Sequence, residues 1–195
     1  MTSEEIAKSL KEQNKDAVLL LQAGEYEKAY AAFGVYLNNL ITYKLYDYAA
    51  KARINMANTL YIMGQFQEAL ECLKKSLNYF EEKKAIDLLN ENRIIEGNLY
   101  LKLNEPEKLK ELSTKMLHTT KNDRIKSIAY MFEVYATDEK KKIASIDTIN
   151  KAVTHAELSN DKSVLKQALC LRIDYYEKNK RSVYAALDRD RIATF

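Results

Sequence analysis

Ala23-Gly24-Glu25-Tyr26-Glu27-Lys28-Ala29-Tyr30 and Met63-Gly64-Gln65-Phe66-Gln67-Glu68-Ala69-Leu70 are one pattern written twice, 40 residues apart. Each has a glycine, an aromatic two residues later and an alanine three beyond that. The apolar positions that follow coincide as well. Tyr26, Ala29, Tyr30, Phe33, Leu37 and Leu40 match Phe66, Ala69, Leu70, Leu73, Leu77 and Phe80 one for one. These spacings place each set on one face of an α-helix. A helical stripe repeated at a fixed period of this length predicts a stacked array, in which each helix hairpin buries its apolar face against the next.

Working outward, Gly24 and Gly64 tolerate the left-handed backbone that closes a helix. Asn104 stands 40 residues beyond Gly64, and Asn is the other residue that accepts this conformation. Pro106 then opens the next helix, where its missing N–H costs nothing. The first helix is expected to start at Thr2 or Ser3, with Ser3 as cap, and to reach Gly24, with the second running from Tyr26 into the forties. Further helices are expected over 47–63, 66–83, 85–103, 106–119, 124–136, 140–158, 163–178 and 182–191. Paired, they form units over 3–43, 46–83, 85–119, 122–158 and 161–193 of a single helical domain spanning 1–195, with the register drifting after residue 120.

Composition agrees with long helices. The 195 residues include only four Gly and one Pro, too little backbone punctuation for many short strands. The 31 basic and 28 acidic residues leave a net charge of +3, whereas dedicated nucleic-acid binders concentrate positive charge on one face. Lys140, Lys141 and Lys142, and more loosely Lys178, Lys180 and Arg181, read as solvated helix ends. Cys72 and Cys170 form no paired motif, which favours a reducing compartment. The N-terminal stretch is polar and acidic, and no apolar run approaches the roughly 20 residues that span a bilayer. A cytoplasmic location is expected.

The chain resembles the tetratricopeptide repeat family. The resemblance lies in the first-helix small residues Ala17, Ala57 and Gly97, the turn residues Gly24, Gly64 and Asn104, and the second-helix small residues Ala29 and Ala69. It extends over residues 13–117. Gln13, Arg53 and Arg93 stand where the family usually has Trp, Leu109 replaces the third small residue, and the period is longer than the common one of about 34. Longer repeats are similar to those of kinesin light chains and of peptide-sensing regulators of Gram-positive bacteria. The resemblance implies an all-α, right-handed α-solenoid of about five antiparallel helix pairs.

In such an array the first helix of each pair lines a concave face, which in the resembled family takes a peptide. The positions outside the packing stripe include Lys11, Asn14, Val18 and Leu21, then Lys51, Ile54, Asn58 and Tyr61. Ile94, Asn98, Leu101 and Lys102 follow, and then Lys126, Tyr130 and Glu133. The candidate partner-binding residues are Asn14, Lys51, Asn58, Tyr61, Asn98, Leu101, Lys102 and Tyr130. Asn58 and Asn98 occupy one register in successive units, and an amide that both donates and accepts can hold a peptide backbone. Tyr43, Tyr46 and Tyr48 gather where the first two pairs join, either extending a binding surface or covering the turn. Chaperone-binding members of the family clamp a terminal carboxylate with lysine, asparagine, asparagine, lysine and arginine at fixed places. Those places hold Asn14, Val18, Asn55, Glu91 and Ile95 here, so only Asn55 agrees and that clamp is not expected.

Nothing points to catalysis. His118 and His155 belong to no metal-binding spacing, and there is no phosphate-cradling loop or nucleophile turn. Asp188 and Asp190 alternate with Arg189 and Arg191, which reads as self-neutralising surface charge and as a polar cap on the end of the array. The expected function is that of a non-catalytic adaptor or scaffold that binds a protein or peptide. No cofactor, metal, nucleic acid or membrane is expected, and the array ends leave homo-oligomerisation open. The alternative is a peptide-sensing regulatory domain related to Gram-positive signalling receptors.

Overall fold

A computed structural model describes residues 2–137 and 145–195. Lys140, Lys141 and Lys142, and the expected helix start at Lys140, lie outside the described residues. The described residues form ten α-helices and no strand. The chain divides into two compact units, Met1–Leu99 and Tyr100–Phe195. The first holds α1 (Ser3–Gln22), α2 (Tyr26–Thr42), α3 (Tyr46–Ile62), α4 (Phe66–Glu82) and most of α5 (Ile86–Lys102). The second holds α6 (Pro106–Thr119), α7 (Asp123–Tyr135), α8 (Ile146–Ser159), α9 (Lys162–Lys178) and α10 (Ser182–Ala193).

The backbone keeps a step of half the sequence repeat. Helices α2 to α5 are 17 residues each, and three-residue turns join α1 through α6. The left-handed position of each turn falls 20 residues after the last: Gly24 (φ 78°), Lys44 (59°), Gly64 (78°), Lys84 (53°) and Asn104 (54°). Every one of these turns closes with the same pair of hydrogen bonds. At the first, the Gly24 N–H donates to the Leu21 carbonyl at 3.1 Å and the Glu25 N–H to Leu20 at 3.0 Å. At the second, Lys44 donates to Ile41 at 3.0 Å and Leu45 to Leu40 at 2.8 Å. This Schellman closure satisfies carbonyls that a helix end leaves open. The closing residue then serves as the cap of the next helix, its own carbonyl accepting from four residues on, as Glu25 does from Ala29 at 2.8 Å.

The stripe read in the sequence is the buried one. Ala29, Phe33, Leu40, Ala69, Leu70, Leu73 and Phe80 are all buried. In the first unit α1 packs on α2, α2 on α3 and α3 on α4. Ala17, Ala29, Ala49, Ala57 and Ala69 are fully buried, and short side chains let helix axes approach closely. Where the resembled family has an indole, polar ties cross between helices. Gln13 accepts a hydrogen bond from Asn39 Nδ2 of α2 at 2.8 Å, and the Arg53 carbonyl accepts the Cys72 thiol of α4 at 3.4 Å. Ser76 adds a buried bond to the Ala50 carbonyl at 2.9 Å.

In the second unit α6 packs on α7, α7 on α8, α8 on α9 and α9 on α10, with α7 also reaching α9. The 20-residue step lapses after α6, which has 14 residues and ends at an extended Thr120 (φ −100°, ψ 144°). Asn122 then caps α7, its side chain accepting from the Ile125 N–H at 3.2 Å. The step returns at Asn160 and Lys180, both left-handed at φ 56°.

Three expectations are corrected. Thr2, not Ser3, caps α1: its hydroxyl accepts from the Glu5 N–H at 3.2 Å while Glu5 accepts from the Thr2 N–H at 2.8 Å, a reciprocal capping box. Asp188 is not surface charge but is buried, 3% exposed, against Arg172 of α9. With that carboxylate turned inward, the exposed side of α10 is mixed rather than a polar cap, carrying the apolar Val183, Tyr184 and Leu187 beside the charged Arg189 and Asp190.

Candidate functional site

The first unit contains a groove of about 790 Å³ between α1 and α3. Tyr36 and Leu40 of α2, together with Leu10 of α1 and Ala52 of α3, are buried and form its base. Packing produces this floor directly, because the face of α2 that meets α1 and α3 carries the large residues of the repeat stripe. Lys11 and Asn14 stand on the α1 wall, and Tyr48, Lys51, Ile54 and Asn55 on the α3 wall. Leu45, the turn residue that caps α3, also lines the groove.

The electrostatics are one-sided. Among the described residues no acidic side chain lines the groove. Lys51 lies over the Tyr48 ring, 5.7 Å from its centroid, a cation–π contact that holds the ammonium at the rim. Asp47, one helical turn before Lys51, is engaged elsewhere and accepts the Tyr79 hydroxyl of α4 at 2.8 Å. Burial pushes the Tyr36 phenol above its usual range, with Tyr48 acting in the same direction. The Tyr36 hydroxyl is therefore neutral at physiological pH. The side-chain amides of Asn14 and Asn55 have no hydrogen-bond partner among the described residues.

The candidate residues read from the sequence are dispersed. Asn14 and Lys51 line the groove, as do Lys11 and Ile54 from the same pattern of positions. Asn58 is half-buried one turn further along α3 and is not among the lining residues. Tyr61 packs edge-on against Phe66, ring centroids 5.4 Å apart, within the α3–α4 hairpin. Asn98 is exposed on α5, so its register match with Asn58 does not carry equal burial. In the second unit Leu101 and Lys102 are exposed at the end of α5. Tyr130 stacks on His155 of α8, ring centroids 5.6 Å apart, and Lys151 Nζ lies 5.7 Å from the Tyr130 ring centroid. His155 in turn meets the Asp123 carboxylate at 2.8 Å, so Tyr130 is part of the α7–α8 packing. Tyr43 and Tyr46 are exposed and outside the groove. Tyr48, which the sequence offers as either binding surface or turn cover, lines the groove, as does Asn55, which the sequence marks only through the clamp positions. Their signal is helical spacing from Lys51, three before and four after it.

Among the described residues no three His, Cys, Asp or Glu side chains gather to hold a metal ion. No helix of the described residues is long and apolar enough to cross a membrane. The fold is an all-α helical repeat, and in its first unit the packing of α1, α2 and α3 leaves a lined groove. No protein-family model matches this chain, and no curated protein matches it.

Proposed function

We propose that this chain is a tetratricopeptide-like repeat that holds an extended peptide or protein segment in the α1–α3 groove and acts as a non-catalytic adaptor. The observation that carries this reading is the combination of an apolar floor with open amides on both walls. Leu45, Tyr48 and Ile54, above a floor closed by Leu10, Leu40 and Ala52, offer apolar contacts to alternate side chains of an extended segment. Asn14 and Asn55 offer a donor and an acceptor each to its backbone. A groove of about 790 Å³ matches the size of sites that enclose a few residues of a ligand.

The test is selection from a display library of random peptides, followed by affinity measurement on wild type and on Ile54→Arg. Ile54 is a half-buried wall residue, so an arginine there fills the groove without emptying the core. The reading expects selected peptides to lose binding to Ile54→Arg while the circular dichroism melt is retained. A library that enriches nothing, or peptides indifferent to Ile54→Arg, contradicts it.

A further inference from the structure

Several lysines of this chain pair with an acid one helical turn away, while others such as Lys8, Lys75 and Lys151 stand a turn from an acid without pairing. Lys28 pairs with Glu25, Lys108 with Glu105 at 2.8 Å, Lys115 with Glu111 at 2.7 Å and Lys126 with Asp123 at 3.6 Å. The two groove lysines form no such pair. Lys11 has Ala7 and Lys8 one turn before it and Asn14 and Lys15 one turn after, so its own helix offers no carboxylate. Lys51 has Asp47 one turn before, but that carboxylate is held by Tyr79 of α4. Neither lysine takes part in an ion pair among the described residues. Two cations thus flank a mostly apolar trough whose lining, among the described residues, contains no acid.

We infer that the occupant of this groove is an apolar peptide segment carrying acidic side chains, its carboxylates drawn to Lys11 and Lys51 and its apolar side chains set against Leu45, Tyr48 and Ile54. The inference rests on the peptide-binding reading above and adds the chemistry of the ligand. The cations stand on different walls, α1 and α3, so they suit carboxylates spaced along a segment rather than a single terminal one. Both lysines are exposed, so the attraction is screened by salt and contributes as much to selection among partners as to affinity.

The probe is a set of three acetylated, amidated, fluorescein-labelled heptapeptides in which leucine alternates with aspartate, serine or lysine. Fluorescence anisotropy on the full chain reads their dissociation constants. The aspartate peptide is expected to bind about five- to tenfold tighter than the serine peptide, the gain of two exposed ion pairs. That advantage shrinks as salt is raised, and the lysine peptide binds weakest. In Lys11→Glu/Lys51→Glu the order inverts, and in Lys11→Gln/Lys51→Gln the aspartate and serine peptides become equal, with helicity unchanged in both variants. Equal binding of the aspartate and serine peptides to wild type overturns the acidic assignment while leaving the groove a peptide site. A preference that survives in Lys11→Gln/Lys51→Gln overturns the role of the two lysines. Failure of all three peptides to bind overturns the inference, and failure of the random library as well removes the reading beneath it.

Discussion

Arg172 grips Asp188 through two parallel hydrogen bonds, Nε to Oδ2 and Nη2 to Oδ1, both 2.7 Å. The same guanidinium donates from Nη1 to Asn150 Oδ1 at 3.2 Å, so one side chain of α9 ties α10 and α8 together. Burial would lower the Arg172 pKa, but the hydrogen bonds to Asp188 prevail and raise it further. Removing one partner leaves the other charge partly desolvated and unanswered. Asp188→Ala is expected to destabilise the second unit by about 2–3 kcal/mol, below the usual loss for a fully buried pair because Arg172 keeps an edge in water. The double variant Arg172→Leu/Asp188→Leu should recover much of that loss. Urea denaturation of wild type, single and double variants measures both. Equal losses in the single and double variants would show that the pair itself is not what matters.

Lys44 and Lys84 stand in the left-handed backbone that Gly24 and Gly64 occupy at the alternate turns. A side chain in that region costs roughly 1–2 kcal/mol. Lys44→Gly and Lys84→Gly should therefore each stabilise the chain by about 0.5–1 kcal/mol after the added freedom of glycine in the unfolded state is deducted. Gly64→Ala should lose about 1 kcal/mol through backbone strain alone, because a Cβ there meets nothing within 4 Å. Urea midpoints of the three variants decide the matter. A neutral or destabilising Lys44→Gly would contradict the turn geometry.

Leu109 fills the place where the resembled repeat has a small residue, and it is 1% exposed. Leu109→Ala, which brings the sequence closer to the family pattern, should cost about 2–5 kcal/mol through lost burial and the cavity left behind. A thermal or urea midpoint unchanged by this substitution would mean that α6 is not packed on Leu109.

Two carboxylates give the second unit an acid-side dependence. Asp161 caps α9, accepting from the Val164 N–H at 3.1 Å and the Ser163 N–H at 2.9 Å, and takes Arg124 Nε of α7 at 3.1 Å. Its carboxyl is held below the usual range, by the Val164 N–H foremost. The Asp123 carboxyl is lowered chiefly by its hydrogen bond with His155. A carboxyl with a lower pKa in the folded state adds stability above its unfolded pKa and loses it as pH falls through the folded value. Stability should therefore decline from about pH 4 downward, and less steeply in Asp123→Asn/Asp161→Asn. Urea midpoints across that range test it, and identical slopes for the two proteins would sink the assignment.

The legible parts of the fold are those where a residue type has a backbone preference of its own. Gly24, Gly64, Asn104 and Pro106 announce alternate turns, and the helices lie within a few residues of where the stripe predicts them. The intervening turns carry Lys44 and Lys84, which have no such preference, so their left-handed backbone is invisible in the sequence, although the helix breaks there are not. Asp188 is illegible for a related reason. Alternating Asp and Arg look like surface charge, and only the packing of α10 on α9 brings Arg172 within reach. At the groove, Lys11, Asn14, Lys51 and Ile54 can be read as positions outside the packing stripe. Tyr36 and Leu40 cannot be read as its floor, because the buried stripe of α2 does not reveal which buried residues border an open channel.

The most direct test of the account is a map of amide chemical-shift changes when the leucine–aspartate peptide is titrated into the isotopically labelled chain. The account predicts that the changes concentrate at Leu10, Lys11 and Asn14 of α1 and at Tyr48, Lys51 and Asn55 of α3, and that they vanish in Ile54→Arg. Changes centred instead on Val183, Tyr184 and Leu187 of α10, or spread without a centre, would contradict it.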